Sequence, residues 1–303
     1  MPLWKPPVVD NLHMWLRADS LDYLAGNVNV TLWSDESGNG RDVSEDASTP
    51  NNPPGLVQHT QNGLSVVEFS KARTECLFGG ADYTEFGEDP FLMTAVFKTA
   101  TSTGSAETVF GDNADNDLFE FRYTNDSDRP IKYFGSGADA DSPLIDVGTN
   151  MSMVTYTRVE DVSSGGDAKY YVNGKLEGSE TETADYTDTD ATTGLFIVGA
   201  SNTKASPQKP LNGQICEIIM YSAHLSDADR FKLEGYLSHK WGIESTLLGS
   251  GGSADHTYQV ERSTDGITLL GETLGNETLD RSLEGDLSTV LNMVDSDHGG
   301  WSM

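Results

Sequence analysis

The sequence predicts an all-β protein: an antiparallel two-sheet sandwich with one helix toward its C-terminal side. Three observations lead there. Short apolar stretches recur along the chain with turn signals between them. Asn173-Gly174 sits between Tyr170-Tyr171-Val172 and Lys175-Leu176, and this pair is the strongest short hairpin signal because both turn positions need positive φ. One segment, 211–242, reads as a Gly turn, an apolar strand, a second turn and a capped amphipathic helix. Nothing alternates strand with helix, which argues against a parallel sheet.

The elements follow in order. FLMTAVFK (91–98), TVFG (108–111), LFEFRY (118–123), MVTYTR (153–158), KYYVNGKL (169–176) and GLFIVGA (194–200) are short runs of strand-forming residues. The chain holds 31 glycines, enough for the tight turns that so many strands require. Ile215 to Tyr221 is a run of seven with only Glu217 charged, which suits a strand buried on both faces. Ser226 then caps a helix over 226–241, with Asp227 and Asp229 placing negative charge on its first turn. Leu233, Tyr236, Leu237 and Trp241 share one helical face, and Gly242 supplies the stop.

These motifs carry a resemblance. LHMWLRADS (12–20), VTLWSDESGNGRDVS (30–44), NGLSVVEFS (62–70), YYVNGKLEGS (170–179) and the strand–helix unit 211–242 resemble segments of the laminin-G-like branch of the concanavalin A-like lectin/glucanase superfamily. The resemblance implies a two-sheet jelly roll over 12–244, with an N-terminal arm at 1–11. It speaks to architecture and is nearly silent on activity.

Composition narrows the function. Acidic residues number 48 against 19 basic, a net charge of −29. That argues against nucleic acid and against anionic membrane surfaces, which recruit basic patches. The acids are spread through loops, as in Asp112, Asp115 and Asp117, then Asp126 and Asp128, then Asp139 and Asp141. A solvated surface suited to salty or marine water accounts for them, since salt screens self-repulsion; specific cation sites in those loops are the sharper reading. No run approaches 18 apolar residues, so no membrane insertion by a helix is expected. Residues 1–7 lack the apolar core of an export signal.

Cys216 lies in the apolar strand and Cys76 beside Leu77-Phe78, so both read as small buried hydrophobes; pairing between them stays open. Beyond the helix, STLLGSGGSADHT (245–257) is a Gly/Ser break. The rest of 258–303 is polar and weakly patterned, with a short amphipathic helix suggested at 280–294. About 46 residues are too few for a core of their own. Residues 245–303 are therefore expected to act as a linker and assembly arm, packed on the sandwich or on a neighbouring subunit; a frayed tail is the alternative.

Catalysis is not expected. Glucanases of the resembled superfamily carry Glu-x-Asp-x-x-Glu on one strand, which sets alternate carboxylates on one face. Neither Glu217-Ile218-Ile219-Met220-Tyr221 nor Glu120-Phe121-Arg122-Tyr123 has acids at those positions. No Gly-x-Ser-x-Gly elbow and no His-Glu-x-x-His motif occurs. The metal candidate is the turn 34–42, SDESGNGRD, where Asp35, Asn39 and Asp42 offer the hard oxygens that calcium prefers. The competing reading makes Asp35 an Asx cap, with Gly38 and Gly40 at positive φ. Tyr123, Tyr133, Phe134, Tyr170, Tyr171 and Tyr186 are candidates for a sugar-stacking platform, set against ordinary core packing. Trp15, Trp33 and Trp241 are assigned to packing.

Two functions fit. One is a non-enzymatic virion surface protein: a phage head-decoration, fibre or tail-associated subunit, bound to other virion subunits or self-assembled, with a host-surface glycan as ligand. The other is a free extracellular carbohydrate-binding or adhesion module of a marine or halophilic microbe.

Overall fold

The structure is a computed structural model. It describes residue 6 and residues 11–21, 29–46, 52–80, 90–100, 107–112, 120–123, 131–132, 150–159, 167–181, 196–201, 207–243, 256–263 and 266–274. The strands are β1 (Leu12–Arg17), β2 (Leu32–Trp33), β3 (Val43–Ser44), β4 (Gly55–Gln61), β5 (Leu64–Phe69), β6 (Leu77–Phe78), β7 (Phe91–Thr99), β8 (Glu107–Asp112), β9 (Glu120–Tyr123), β10 (Ile131–Lys132), β11 (Ser152–Arg158), β12 (Asp167–Val172), β13 (Lys175–Thr181), β14 (Phe196–Val198), β15 (Gly213–Tyr221), β16 (His256–Ser263) and β17 (Gly266–Leu274). The helix α1 spans Asp227–Trp241. The expected antiparallel sandwich is thus present, with its one helix within a residue of the expected start.

The first sheet runs β13-β12-β11-β7-β15-β5-β4, with β1 also paired to β15. The second runs β10-β9-β8-β14-β6-β3-β2. All strand pairs within these sheets are antiparallel, so alternate residues fall on opposite faces. Met93, Tyr156 and Tyr170 form one row across β7, β11 and β12, while Thr94, Thr155 and Tyr171 form the next, facing the other way. The first row looks toward the second sheet. Tyr156 packs there against Phe91 and Tyr170, with ring centroids 5.3 and 4.7 Å apart. Phe69 of β5 closes the sheet-to-sheet contact at Gly199, where an added Cβ would lie 2.3 Å from its ring; Gly199 also has φ of 87°, so glycine is required twice over.

The second face of the first sheet is covered by α1. The strand β15 shows how. It pairs with β5 over Gly213–Ile215 and with β1 over Glu217–Tyr221, keeping β7 on its other side throughout. A bulge at Cys216 falls where the partner changes. It sets Ile215 opposite Phe97 but Glu217 opposite Val96, which is on the opposite face. One extra residue thereby turns Glu217 out of the intersheet core and under the helix.

The helix is capped at both ends. Ser226 Oγ accepts from the Asp229 amide at 3.2 Å. Gly242, at φ 64°, closes the other end: its N–H donates to the His239 carbonyl and that of Ile243 to the Ser238 carbonyl, a Schellman arrangement. The remaining carbonyls are served from far away. Gln61 Nε2 donates to the Trp241 carbonyl at 2.6 Å and Asn62 Nδ2 to that of Lys240 at 2.9 Å. Those two residues lead into the β4–β5 turn, where Asn62 and Gly63 both take positive φ. The expected turn at Asn173-Gly174 has the same signature, and Asn173 Oδ1 accepts the Met153 amide at 2.8 Å, tying the hairpin to β11.

A third unit lies beyond the Gly/Ser break. Among the described residues, strands β16 and β17 pair only with each other. The sequence assigns no strand there, yet Asp265-Gly266 separates two alternating runs, a hairpin signal that weak overall patterning concealed. The amphipathic segment at 280–294 lies outside the described residues, as do the acids at 113–117 and most of the acidic stretch 179–193.

Leu233, Leu237 and Trp241 are fully buried, as their spacing requires. Trp241→Ala is expected to cost about 3–5 kcal/mol of unfolding free energy. Urea denaturation followed by circular dichroism measures it, and a change near zero would remove the helix from the core.

Candidate functional site

Polar chemistry in the described residues concentrates between α1 and the first sheet. The Glu217 carboxylate is fully buried there. Its Oε1 accepts from the Trp15 indole at 2.5 Å and from the Tyr236 hydroxyl at 3.1 Å. Its Oε2 accepts from the Trp241 indole at 2.8 Å and from Lys240 Nζ at 2.7 Å. Lys240 also meets Asp19 at 2.7 Å, and Arg17 Nε lies 3.5 Å from that same Asp19 while its guanidinium stands 5.2 Å from the Trp15 ring centroid. Two carboxylates thus face two cations. Burial pushes the Tyr236 hydroxyl far above its ordinary pKa, and the neighbouring Glu217 charge adds to the effect. The phenol stays a proton donor to the carboxylate.

A second buried pair holds the front half of the helix. Arg230 Nη1 donates to Glu234 Oε2 at 2.6 Å, and its guanidinium lies 3.7 Å from the Tyr171 ring centroid. Thr155 lies beside the same carboxylate, and its hydroxyl bonds that of Thr94 at 3.0 Å. Burial raises the Glu234 pKa, with Arg230 opposing it. The chemistry of both clusters is structural. Both oxygens of Glu217 are filled by fixed donors, whereas at Glu234 Arg230 fills Oε2 and Oε1 is buried with no hydrogen-bond partner among the described residues; the helix sits over both.

The turn at 34–42 brings Asp35, Asn39 and Asp42 together, as expected, and shows what each does. Asp35 Oδ1 accepts the Trp15 and Ser37 amides, both at 2.9 Å. Asp35 Oδ2 accepts the Ser37 hydroxyl at 2.7 Å and the Arg41 amide at 3.0 Å. Asp42 Oδ1 accepts the Asp35 amide at 2.7 Å. Asn39 points its amide nitrogen, not its oxygen, inward, donating to the Leu12 and His13 carbonyls at 2.7 and 3.0 Å. The reason lies in β1, whose register slips at His13. That bulge frees the His13 carbonyl, and Ser37, Asn39 and Arg41 side chains converge on it. The turn is a clamp on the bulged strand. Among the described residues, no group of three or more His, Cys, Asp or Glu is placed to hold a metal ion.

The aromatic candidates separate. Tyr170 and Tyr171 are buried, the first between the sheets and the second beneath Arg230, so neither offers a face to a sugar. Tyr123 is on β9, second from the edge of the second sheet. Tyr133, Phe134 and Tyr186 lie outside the described residues. Trp15, Trp33 and Trp241 are core residues as assigned, although the hydrogen bonds of Trp15 and Trp241 to Glu217 exceed packing. Cys76 and Cys216 are both free and buried, and burial pushes the Cys76 thiol up to about 12. The sequence held one sign of the Glu217 cluster: a lone charge inside an apolar run must find partners.

Comparison with known proteins places this architecture. Residues 79–229 match the family model described as the concanavalin A-like lectin/glucanases superfamily. No curated protein sequence matches the chain. Among solved structures, domain 4 of AbnA, an extracellular arabinanase from Geobacillus stearothermophilus in complex with arabinotriose, is 15% identical with a TM-score of 0.48, covering 72% of this chain and 95% of that one. The carbohydrate-binding module of a Ruminococcus gnavus sialidase bound to α2,3-sialyllactose is 17% identical with a TM-score of 0.39, covering 54% and 92%. A Trypanosoma rangeli sialidase is 17% identical with a TM-score of 0.46; the match covers 80% of this chain and about a third, 34%, of the enzyme. At these identities the likeness concerns the fold alone.

Two outcomes follow from the geometry. Glu217→Gln keeps the shape but turns an amide N–H₂ toward groups that are themselves donors, leaving an indole N–H unpaired and Lys240 short of one counter-charge. It is expected to cost about 3–5 kcal/mol, read as a lower urea midpoint at unchanged slope. Asp35→Ala removes four accepted hydrogen bonds at the clamp and should cost roughly 2–3 kcal/mol. The loss should be the same in calcium and in EDTA, because those bonds are made by protein donors.

Proposed function

We propose that this chain, which carries a domain of the concanavalin A-like lectin/glucanase superfamily, is a non-enzymatic carbohydrate-binding protein displayed on the surface of a virus particle. The match over residues 79–229 carries the carbohydrate part of this reading. The absence of catalysis is supported by the buried carboxylates of the helix side. Glu217 is spent on two indoles, a phenol and an ammonium, and Glu234 is fully buried beneath α1 and paired with the Arg230 guanidinium, so neither is reachable as nucleophile or general acid. With that face sealed by α1, sugar is expected at the second sheet and its loops.

The virion role rests on charge and on the separate C-terminal hairpin. A net charge of −29 keeps a densely displayed surface hydrated and repels nonspecific contact with nucleic acid. The hairpin is an element outside either sheet of the sandwich, available for anchoring. A free extracellular carbohydrate-binding module is the second reading, and the family match alone favours it.

The test has two arms. On an array of host-surface and plant-type glycans the intact protein should bind at least one class and release no reducing sugar from it. Steady hydrolysis would overturn the reading. In the second arm the protein should sediment with assembled virus-like particles; free protein with full glycan binding and no particle association selects the second reading.

A further inference from the structure

An asparagine followed by glycine can react with its own backbone. The glycine amide nitrogen adds to the asparagine Cγ, the Cγ–Nδ2 bond breaks, and ammonia leaves with the amide proton. Water then opens the five-membered imide at either carbonyl, giving aspartate or an isomer with one extra methylene in the main chain. Nothing is oxidised or reduced, and water is the only co-reactant. Glycine favours the reaction because no side chain shields its nitrogen. The chain has four such pairs, at 39–40, 62–63, 173–174 and 212–213, and the fold places them in different surroundings.

Three pairs are held. Gly213 is buried, and an added Cβ there would lie 2.2 Å from the Lys98 carbonyl oxygen. The Asn212 amide donates to Glu107 Oε2 at 3.3 Å, and its carbonyl accepts the Ala100 amide at 2.7 Å. Asn173 exchanges two bonds with Met153: its amide donates to the Met153 carbonyl and its Oδ1 accepts the Met153 amide, both at 2.8 Å. An aspartate there would keep both. Asn39 is exposed, but its Nδ2 is fixed in part-buried bonds to the Leu12 and His13 carbonyls at 2.7 and 3.0 Å. Asn62 differs. Asn62 and Gly63 are both exposed, in the two-residue turn between Gln61 and Leu64. Asn62 Nδ2 donates to the His239 and Lys240 carbonyls at 3.3 and 2.9 Å, and both bonds are open to solvent.

We propose that Asn62-Gly63 is a self-modification site, at which water converts the asparagine and so unfastens the C-terminal end of α1. The nitrogen that leaves as ammonia is the one that holds the helix. Asn62 Cγ rests on Gly242, where an added Cβ would lie 3.0 Å from it. The side chain must therefore lift off the helix end before Cγ meets the Gly63 nitrogen. The rate follows the fraction of time this latch is open, a local opening that needs no unfolding of the sandwich. Once reacted, the latch does not close as before. A carboxylate can only accept, and it would face two carbonyls at the negative end of the helix dipole. The isomer also lengthens a turn whose two residues set the β4–β5 register. Gln61 then holds the helix end through its bond to the Trp241 carbonyl. In either functional reading the chain works outside a cell, where converted copies accumulate with age, but the chemistry rests on neither reading.

Peptide mapping by mass spectrometry tests it on the full chain, kept folded in warm, mildly alkaline buffer. Asn62 should convert first of the four asparagines, more slowly than in the free peptide 58–66, which has no helix to hold it. Gln61→Ala, which loosens the same helix end, should speed conversion at Asn62 and leave Asn173 unchanged. The converted protein, separated by ion exchange, should unfold at a lower urea midpoint, with its unfolding constant raised roughly tenfold by the lost bond and the adverse charge. Asn62→Asp should reproduce that midpoint, and Asn173→Asp should keep the wild-type one. The converted fraction is made from folded wild type, so this readout stands even where Asn62→Asp fails to fold. Conversion of another of the four while Asn62 remains an amide overturns the proposal, as does a converted fraction with the wild-type midpoint. No glycan enters the measurement, so its failure and failure of the carbohydrate reading are separately visible.

Discussion

A single carboxylate organises the first sheet and the helix above it. Glu217 is fully buried, and an isolated charge in such a place costs several kcal/mol. The cost is offset only because four donors from two elements converge on it: Trp15 from β1, and Tyr236, Lys240 and Trp241 from α1. This is a demanding arrangement. An indole N–H can only donate, so two tryptophans are held in one orientation each. The helix cannot rotate or slide on the sheet without breaking bonds that water has no room to replace. Apolar packing by Leu233 and Leu237 holds the helix on the sheet, and the carboxylate fixes where it sits.

Much of the fold was legible in the sequence. The Asn-Gly turn, the apolar runs and the helix caps are local signals, governed by residues a few positions apart, and they locate the strands and α1 closely. What the sequence concealed are the long-range partners. Trp15 lies 202 residues from Glu217, so a lone charge in a strand could be read as an anomaly but not as a junction. The Arg230–Glu234 spacing reads as an exposed helical ion pair, and only the closeness of Tyr171 and Thr155 makes it a buried one. Asp35, Asn39 and Asp42 were visible as oxygen-rich residues of a glycine turn. Their target, the His13 carbonyl, exists only because β1 bulges, and nothing in LHMWLR announces a bulge. The hairpin beyond the Gly/Ser break was present in Asp265-Gly266 but diluted by polar surroundings.

The two bulges have a common logic. Each disturbs a ladder in the first sheet, at His13 and at Cys216, and each is answered by polar groups that use the disturbance. At His13 a freed carbonyl becomes the anchor for a whole turn. At Cys216 a reversed alternation delivers an acid to the helix. Regular strands would have left Asn39 without a target and Glu217 among the intersheet aromatics. Irregularity here is a means of joining a sheet to what lies beside it.

The capping of α1 by Gln61 and Asn62 has a bearing on how the chain is made. The last carbonyls of the helix are satisfied by a turn that precedes them by about 180 residues. At translation rates of about 5–20 residues per second, that turn leaves the ribosome roughly 9–36 s before the helix does. Strand β1, which also waits for β15, spends a comparable interval with Trp15 and its neighbours unpartnered. The nascent chain therefore carries finished hairpins but an open first sheet until β15 and α1 emerge, and the order of synthesis leaves the closing of the sandwich to those two elements.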